Sequence, residues 1–504
     1  MTLRLLGAWP GWPMAGAAFG LGAVMASGQA PLGFWWLTLP ALAAAFLLIS
    51  RAATADHAAW LGLFLGGGYF ALALSWIVEP FLIEPETYAW MIPFVLVLLP
   101  FGMGLFWALA AGLAHRFGNP ARRLALLAVA FAVAELARSY VLTGFPWALI
   151  GHIWVDTPIA QLGALIGPIG LTLLTTLAAA AIANAKPIPL VGAGLGAAAA
   201  VAFGTTQLAA PLPVQADAPI IRLVQPNAEQ HLKWDAERAH LYFDRQLDLT
   251  AAAPELGRPR PDLVVWPETS VPYLLNNNEA VLAAIAQAGQ GAQVVVGIQR
   301  LEGNRGFNSL AVISPDGHAT HLYDKHHLVP FGEYIPFGDL AFDLFGLTAF
   351  ASQLGAGYSA GPGAVLLDLG PKLGRALPLI CYEAVFPQDL RAAFGRADWI
   401  LQITNDAWFG ELTGPWQHLA QSRLRAIEQG LPLLRAANTG VTAVIDARGR
   451  VLAQIGLGVA GHLDATLPAA LARTPYARFG DWPMLLLLAG LAVALLARRP
   501  RAKA

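Results

Sequence analysis

Cysteine is almost missing from this chain. Cys381 is the single one in 504 residues, which excludes an intrachain disulfide framework and leaves packing or chemistry as the reason for that thiol. Charge is scarce as well: Asp, Glu, Lys and Arg make up 12% against 56% hydrophobic residues, and the mean hydropathy is +0.54. Soluble domains carry about 25% charge, so a chain dissolved wholly in water is excluded. A basic surplus is lacking too, with 31 Lys and Arg against 32 Asp and Glu. A nucleic-acid partner, which needs a basic face, is not expected.

The shortage of charge is uneven along the chain. Residues 1–204 are a succession of apolar runs, 205–218 form a linker with Pro211 and Pro213, 219–472 read as an ordinary globular domain, and 473–504 hold a last apolar run and a basic tail. A membrane span needs roughly 20 mostly apolar residues. Seven are expected near 10–27, 31–50, 58–77, 89–114, 123–142, 161–185 and 188–204, and an eighth near 482–497. The first resembles a cleaved signal peptide, but with six further spans behind it retention is expected. Lys and Arg orient the short loops. Arg4, Arg51, Arg116, Arg122, Arg123, Lys186, Arg498, Arg499, Arg501 and Lys503 fall on one side, whereas the loop near 78–88 carries Glu79, Glu84 and Glu86. Both termini are therefore expected in the cytoplasm and the globular domain outside it, in the periplasm of a bacterium. Trp35, Trp36 and Trp90 read as interface anchors. Glu135 and Arg138, three apart in the fifth span, read as a functional site or a structural ion pair.

In the globular domain, strand-like runs fall at 220–224, 263–266, 293–298, 309–313, 321–323, 376–380, 399–404 and 442–446. Ser314-Pro315-Asp316-Gly317 and Asp446-Ala447-Arg448-Gly449 look like hairpin turns. Helical patterns fall at 278–287, 388–394 and 415–429. The mixture predicts a layered α/β domain. The fold class is thus a polytopic α-helical membrane protein of eight spans with an inserted α/β domain. From Phe331 to Gly363 a long stretch carries Phe331, Tyr334, Phe337, Phe342, Phe345, Phe350 and Tyr358. It is too apolar for disorder and is expected to act as a lid against the bilayer or over a site.

Cys381 closes an apolar run and opens a polar one, the place where a strand hands a nucleophile to a turn. Glu268 and Lys325 each follow a strand-like stretch in the same way. A thiol needs a base, which a carboxylate in a partly dry pocket can supply. The oxyanion formed by attack on an acyl carbonyl needs a cation or N–H donors. Cysteine, glutamate and lysine together suffice for acyl transfer through a thioester.

The flanks of these residues, Val264-Val265-Trp266-Pro267-Glu268, Tyr323-Asp324-Lys325-His326-His327-Leu328-Val329-Pro330-Phe331-Gly332-Glu333 and Ile380-Cys381-Tyr382-Glu383, resemble the Glu–Lys–Cys triad of the nitrilase superfamily. Five further blocks resemble one membrane-bound branch of it, the apolipoprotein N-acyltransferases. They are Thr404 to Gly410, Gly414-Pro415-Trp416-Gln417-His418, Gln225-Pro226-Asn227, Lys233-Trp234-Asp235 and Leu142-Thr143-Gly144-Phe145-Pro146-Trp147. The resemblance implies a nitrilase-like α-β-β-α sandwich. It also implies transfer of a fatty acyl chain from a phospholipid, through a Cys381 thioester, to the α-amino group of the N-terminal diacylglyceryl-cysteine of an apolipoprotein. Glu268 would be the base, Lys325 the oxyanion partner and Glu333 its support. Tyr382 and Glu383 would shape the nucleophile turn, while Trp234 and Trp408 would contact substrate. The implied setting is a bacterial inner membrane, with phospholipid, diacylated apolipoprotein and bilayer as partners, the protein a monomer, and no cofactor. Lifting a fatty chain into water costs about 0.8 kcal/mol per CH₂, or about 12 kcal/mol for a common acid, so the thiol is expected near the membrane surface.

Two other classes compete. A membrane-tethered amidase acting on a small amide would show a narrow polar pocket, and a transporter would need more buried charge in its spans. His318, His321, His326 and His327 crowd together and invite a metal site, but neighbouring histidines on a strand face opposite ways and no nearby cysteine completes a zinc set. No metal is expected.

Overall fold

A computed structural model describes residues 9–213, 217–235, 237–254, 257–335 and 357–497. The chain separates into two compact units. One comprises Met1–Ala210, Leu412–Ala420 and Thr474–Ala504, the other Pro211–Glu411 and Gln421–Arg473.

In the first unit, helices occupy Trp12–Ala26, Trp35–Ser50, Ala55–Ala73, Ile92–Phe117, Arg123–Tyr140, Gly163–Asn184, Pro187–Ala209 and Trp482–Leu496. Among the described residues, Pro85–Phe117, Pro158–Asn184 and Pro187–Ala209 are long and apolar enough to cross a membrane. The bent pair Ala55–Ala73 and Ser75–Leu82 makes a fourth if it counts as one span. Trp12–Ala26 and Trp482–Leu496, at 15 residues each, rise only about 22 Å at 1.5 Å per residue, short of a hydrocarbon core of about 30 Å. Small residues let the helices approach closely: a Cβ on Gly68 would lie 1.9 Å from the carbonyl oxygen of Phe19.

Glu135 and Arg138 form a buried ion pair at 2.7 Å. Trp107 Nε1 donates to Glu135 Oε1 at 2.8 Å, and Arg138 Nη1 donates to the carbonyls of Phe145 (2.5 Å) and Trp147 (2.9 Å). The pair therefore fastens the loop after its helix. In the same unit, two motifs far apart in sequence meet, with Trp147 Nε1 donating to Gln417 Oε1 at 2.6 Å and the rings of Trp147 and His418 5.6 Å apart.

The second unit holds twelve strands among the described residues: β1 (Ile220–Gln225), β2 (Leu263–Val265), β3 (Gln293–Glu302), β4 (Arg305–Ile313), β5 (Ala319–Asp324), β6 (Leu367–Asp368), β7 (Arg375–Ile380), β8 (Trp399–Thr404), β9 (Leu433–Ala437), β10 (Thr442–Ile445), β11 (Val451–Ile455) and β12 (Gly461–Thr466). They build two six-stranded sheets, in the orders β12-β1-β2-β3-β4-β5 and β11-β10-β9-β8-β7-β6. β1, β2 and β3 run parallel, as do β7, β8 and β9. These parallel strands are largely buried on both faces, so they read as continuous apolar runs rather than alternations. On the first sheet Val264, Val294, Val296, Ile298, Ala311 and Ile313 pack with Phe243, Leu282 and Ile285 from the helices Ala239–Ala251 and Glu279–Gly289. On the second, Ser422 Oγ donates to Gln402 Oε1 at 2.7 Å, joining Gln421–Gln429, the later part of helix Gly414–Gln429, to β8.

Two expectations change. Residues 388–394 form only the 3-10 turn Asp389–Arg391, because a stretch this short, between Pro387 and Gly395, cannot offset helix nucleation. β5 ends at Asp324, so His326 and His327 lie on the following loop rather than on a strand. Most of the expected lid, with Phe337, Phe342, Phe345 and Phe350, lies outside the described residues. Its described end is pinned by Tyr358 N–H to the Glu333 carbonyl (2.8 Å) and Gly361 N–H to the Lys325 carbonyl (2.9 Å).

Candidate active site

Glu268 follows β2, Lys325 follows β5 and Cys381 follows β7. β5 is antiparallel to β4, and β4 to β3, so β5 runs with β2. Glu268 and Lys325 therefore leave the first sheet at the same edge, the carboxyl ends of the parallel strands where α/β sheets hold ligands.

The structure brings Glu268, Lys325 and Glu333 into one hydrogen-bonded cluster. Lys325 Nζ lies 3.3 Å from Glu268 Oε1 and 2.9 Å from Glu333 Oε1, and the lysine is 1% exposed. Asn308 Nδ2 donates to both of those oxygens, at 2.8 and 3.1 Å. The remaining carboxylate oxygens accept backbone N–H groups, Glu268 Oε2 from Asn405 and Glu333 Oε2 from Val329, each at 2.9 Å. Burial alone would lower the Lys325 pKa, but Glu268 and Glu333 outweigh it and hold the ammonium well above its usual value. Burial raises Glu333, Lys325 opposes the rise and Glu268 adds to it.

Cys381 is buried, with φ at +50°, a left-handed backbone that costs about 1–2 kcal/mol for a residue with a side chain. Such strain at a strand-to-turn junction presents a nucleophile outward. Glu383 holds the turn. Its Oε2 accepts Ile380 N–H at 2.7 Å and Tyr323 Oη at 2.8 Å, and its Oε1 accepts His326 N–H at 2.8 Å. One carboxylate thus staples the cysteine turn to the segment that carries Lys325. Burial would raise the Glu383 pKa, but His326 and the N–H donors pull it below its usual value. Burial pushes the Cys381 thiol well up and Glu268 adds to the rise; Lys325 opposes it, Asp406 adds, and a bond to the Thr404 side chain opposes. The resting sulfur is therefore S–H at neutral pH and feels the charges of both Glu268 and Lys325.

Tyr382 is buried, edge-on to Phe386 at 4.8 Å and to His327 at 5.7 Å. Trp234 and Trp408 stand outside the hydrogen-bonded cluster. Trp234 is partly buried, its ring 5.6 Å from Lys233 Nζ, and Trp408 is partly buried on the 3-10 turn Asp406–Phe409. His326 Nδ1 lies 2.8 Å from Glu383 Oε1, and His327 Nδ1 lies 2.9 Å from Asp389 Oδ2. Among the described residues no three-ligand group of His, Cys, Asp or Glu forms.

Sequence reasoning did not single out Asn308 or Asn438, and it took in Asn405 and Lys233 only as members of resembling blocks, with no role of their own. Asn438 Nδ2 donates to Asn405 Oδ1 at 2.9 Å and to the Ala228 carbonyl at 2.7 Å, which fixes the loop whose N–H holds Glu268. The available signal was asparagine inside or directly after buried apolar strands, where β-propensity disfavours it.

These elements define a carbon–nitrogen hydrolase fold. Residues 221–476 match the carbon-nitrogen hydrolase family, and residues 21–181 match the apolipoprotein N-acyltransferase N-terminal domain. An apolipoprotein N-acyltransferase of Brucella melitensis biotype 1 is 38% identical over 91% of this chain and 90% of its own length. One from Rhodopseudomonas palustris is 37% identical over 98% of this chain and 96% of its own. A solved amidase from Nesterenkonia sp. is 21% identical, covering 55% of this chain and 98% of that chain, with a TM-score of 0.37. The chain belongs to the apolipoprotein N-acyltransferase family.

Proposed function

We propose that this chain N-acylates apolipoproteins, taking a fatty acyl group from a phospholipid and passing it through a Cys381 thioester to the α-amino group of an N-terminal diacylglyceryl-cysteine. The observation that carries the reading is the buried Glu268–Lys325–Glu333 cluster, electrostatically coupled to a cysteine in a left-handed turn.

Because the resting sulfur is protonated, attack and deprotonation are coupled. Glu268 takes the S–H proton as sulfur bonds to the ester carbonyl carbon. Lys325, kept charged by its two carboxylates, stabilises the oxyanion, and a preorganised donor of this kind is worth about 10²–10³ in rate. The tetrahedral species collapses with loss of the C–O bond, and the lysophospholipid alkoxide leaves with the proton from Glu268. In the second half the neutral α-amine attacks the thioester carbon, the C–S bond breaks, and Glu268 carries the amine proton back to the departing sulfur. Glu333 orients Lys325, Tyr382 and Glu383 shape the nucleophile turn, and Trp234 and Trp408 contact the lipid substrates.

The Lys and Arg pattern supports eight spans in a bacterial inner membrane, with both termini cytoplasmic and the catalytic domain, residues 219–472, in the periplasm. The units 1–204, 205–218 and 473–504 are a seven-helix membrane region, a linker, and a final span with its basic tail. The protein works as a monomer.

The test is transfer. Purified protein, phospholipid and a diacylglyceryl-cysteine peptide should yield a peptide heavier by one acyl group and one lysophospholipid per peptide. Glu268→Gln should suppress both. Release of free fatty acid with an unchanged peptide would make the protein a lipid hydrolase instead.

A further inference from the structure

Lys233 is a second buried ammonium at this site, on the segment that follows β1. It is 5% exposed, and its Nζ donates to the backbone carbonyl of Glu268 (3.2 Å) and to Thr269 Oγ1 (2.8 Å). Thr269 has φ of +46°, a conformation a β-branched residue keeps only where its surroundings hold it. On the opposite side the same turn rests on β3. A Cβ on Gly297 would lie 2.3 Å from the Pro267 oxygen and 2.6 Å from Glu268 Cα. The backbone of Glu268 is thus held between a lysine and a glycine.

We infer that Lys233 is a positioning residue for the acylation step, fixing the Glu268 turn and supplying the positive charge that the cluster otherwise lacks. The inference rests on the reading of Glu268 as the base. Two carboxylates, Glu268 and Glu333, share the single ammonium of Lys325, so when both are ionised one negative charge is left over. Lys233 neutralises it. The proton that Cys381 gives up stays in the site on Glu268, so when a thiolate or an oxyanion forms the site is neutral with Lys233 and would carry one net negative charge without it.

The groups whose fields reach Lys233 are Glu268 and Cys381, with Lys325 and Glu333 bonded around Glu268. Asp406 reaches the sulfur but is paired with Arg435. On its own segment His231 and Asp235 are exposed. Burial lowers the Lys233 pKa to about 8 against the opposing pull of Glu268 and Cys381. Its charge is therefore present at neutral pH and lost just above it.

The experiment uses the full chain in detergent and reads the single-turnover rate of acyl adduct formation from phospholipid by intact mass, from pH 5.5 to 9.5. Lys233→Gln should slow the rate about 100-fold at pH 7 and move the acidic limb of the profile upward by about one pH unit, with phospholipid half-saturation unchanged. Lys233→Arg should restore most of the rate and remove the wild-type fall near pH 8. A Lys233→Gln variant with wild-type rate and profile overturns the inference. So does one that melts earlier but keeps its limbs in place, since that is a structural role alone. If Lys233→Gln does not fold, an unchanged alkaline limb in Lys233→Arg overturns it equally. Cys381→Ala separates the two readings. An adduct persisting there removes the proposed function, whereas its loss alongside an unaffected Lys233→Gln removes only the role of Lys233.

Discussion

Lys325→Met tests the cluster most severely. The ammonium sits 2.9 Å from one buried carboxylate and 3.3 Å from another, and the methionine leaves both without their cation. Removing one partner of a buried ion pair costs about 3–5 kcal/mol, because the remaining charge is stranded. In a unit of this size that lowers the melting temperature by about 6–20 °C, at about 2–4 °C per kcal/mol. The loss should depend on pH with a definite sign. The Glu333 pKa is raised even with Lys325 present, and a carboxyl whose folded pKa exceeds its unfolded value binds more protons in the native state. Stability then falls as pH rises from the unfolded carboxylate range through the folded value. Melting in detergent, followed by scanning fluorimetry, should show the gap between Lys325→Met and wild type narrow at pH 5 and wide at pH 8. A variant melting within 2 °C of wild type at every pH, a tolerance of about 1 kcal/mol, would refute the stranded-carboxylate reasoning.

Gly297→Ala should slow adduct formation more than it lowers stability, because the new methyl displaces the backbone of Glu268 itself; rate and melting measured together decide it. The His326–Glu383 pair should stabilise the fold between two limits. His326 has a raised pKa and its contribution is lost as pH rises through that value, while Glu383 has a lowered one and its contribution is lost as pH falls through it. The melting difference between wild type and His326→Gln should therefore be large near pH 6 and small near pH 9, and a flat difference counts against the pairing. In the first unit, Arg138→Met should cost about 3–5 kcal/mol, and adding Glu135→Gln should recover part of it, since both charges are then gone. A double variant less stable than the single would show that the pair is not a simple clamp.

Much of the site was legible because its residues stand where apolar runs stop. Glu268, Lys325 and Cys381 each end such a run; the strands before Glu268 and Cys381 are buried on both faces, whereas β5 is buried only at the end that leads to Lys325. β9 was missed because Leu433–Ala437 is a short apolar run behind a helix, indistinguishable by periodicity from the helix's own tail. β11 and β12 were missed because their partly exposed residues give a weak pattern. The helix Ala239–Ala251 is too polar on its outer face to announce itself. Asn308 and Asn438 escaped notice because their value lies in bonds to residues remote in sequence. Lys233 stood in the sequence only as part of the Lys233-Trp234-Asp235 block, and the fold is what buries it against the Glu268 backbone. The expected spans coincide with helices, but three of those helices, Trp12–Ala26, Trp35–Ser50 and Trp482–Leu496, are too short to cross a bilayer unaided, which hydropathy alone does not reveal.

The most direct measurement is the intact mass of the purified protein after incubation with phospholipid and no acceptor. The wild type should gain the mass of one acyl chain, mapping by fragmentation to Cys381 and discharged by a diacylglyceryl-cysteine peptide, and Cys381→Ala should gain nothing. The same added mass on Cys381→Ala, or an adduct mapping to another side chain, would contradict the thioester on which the whole account stands.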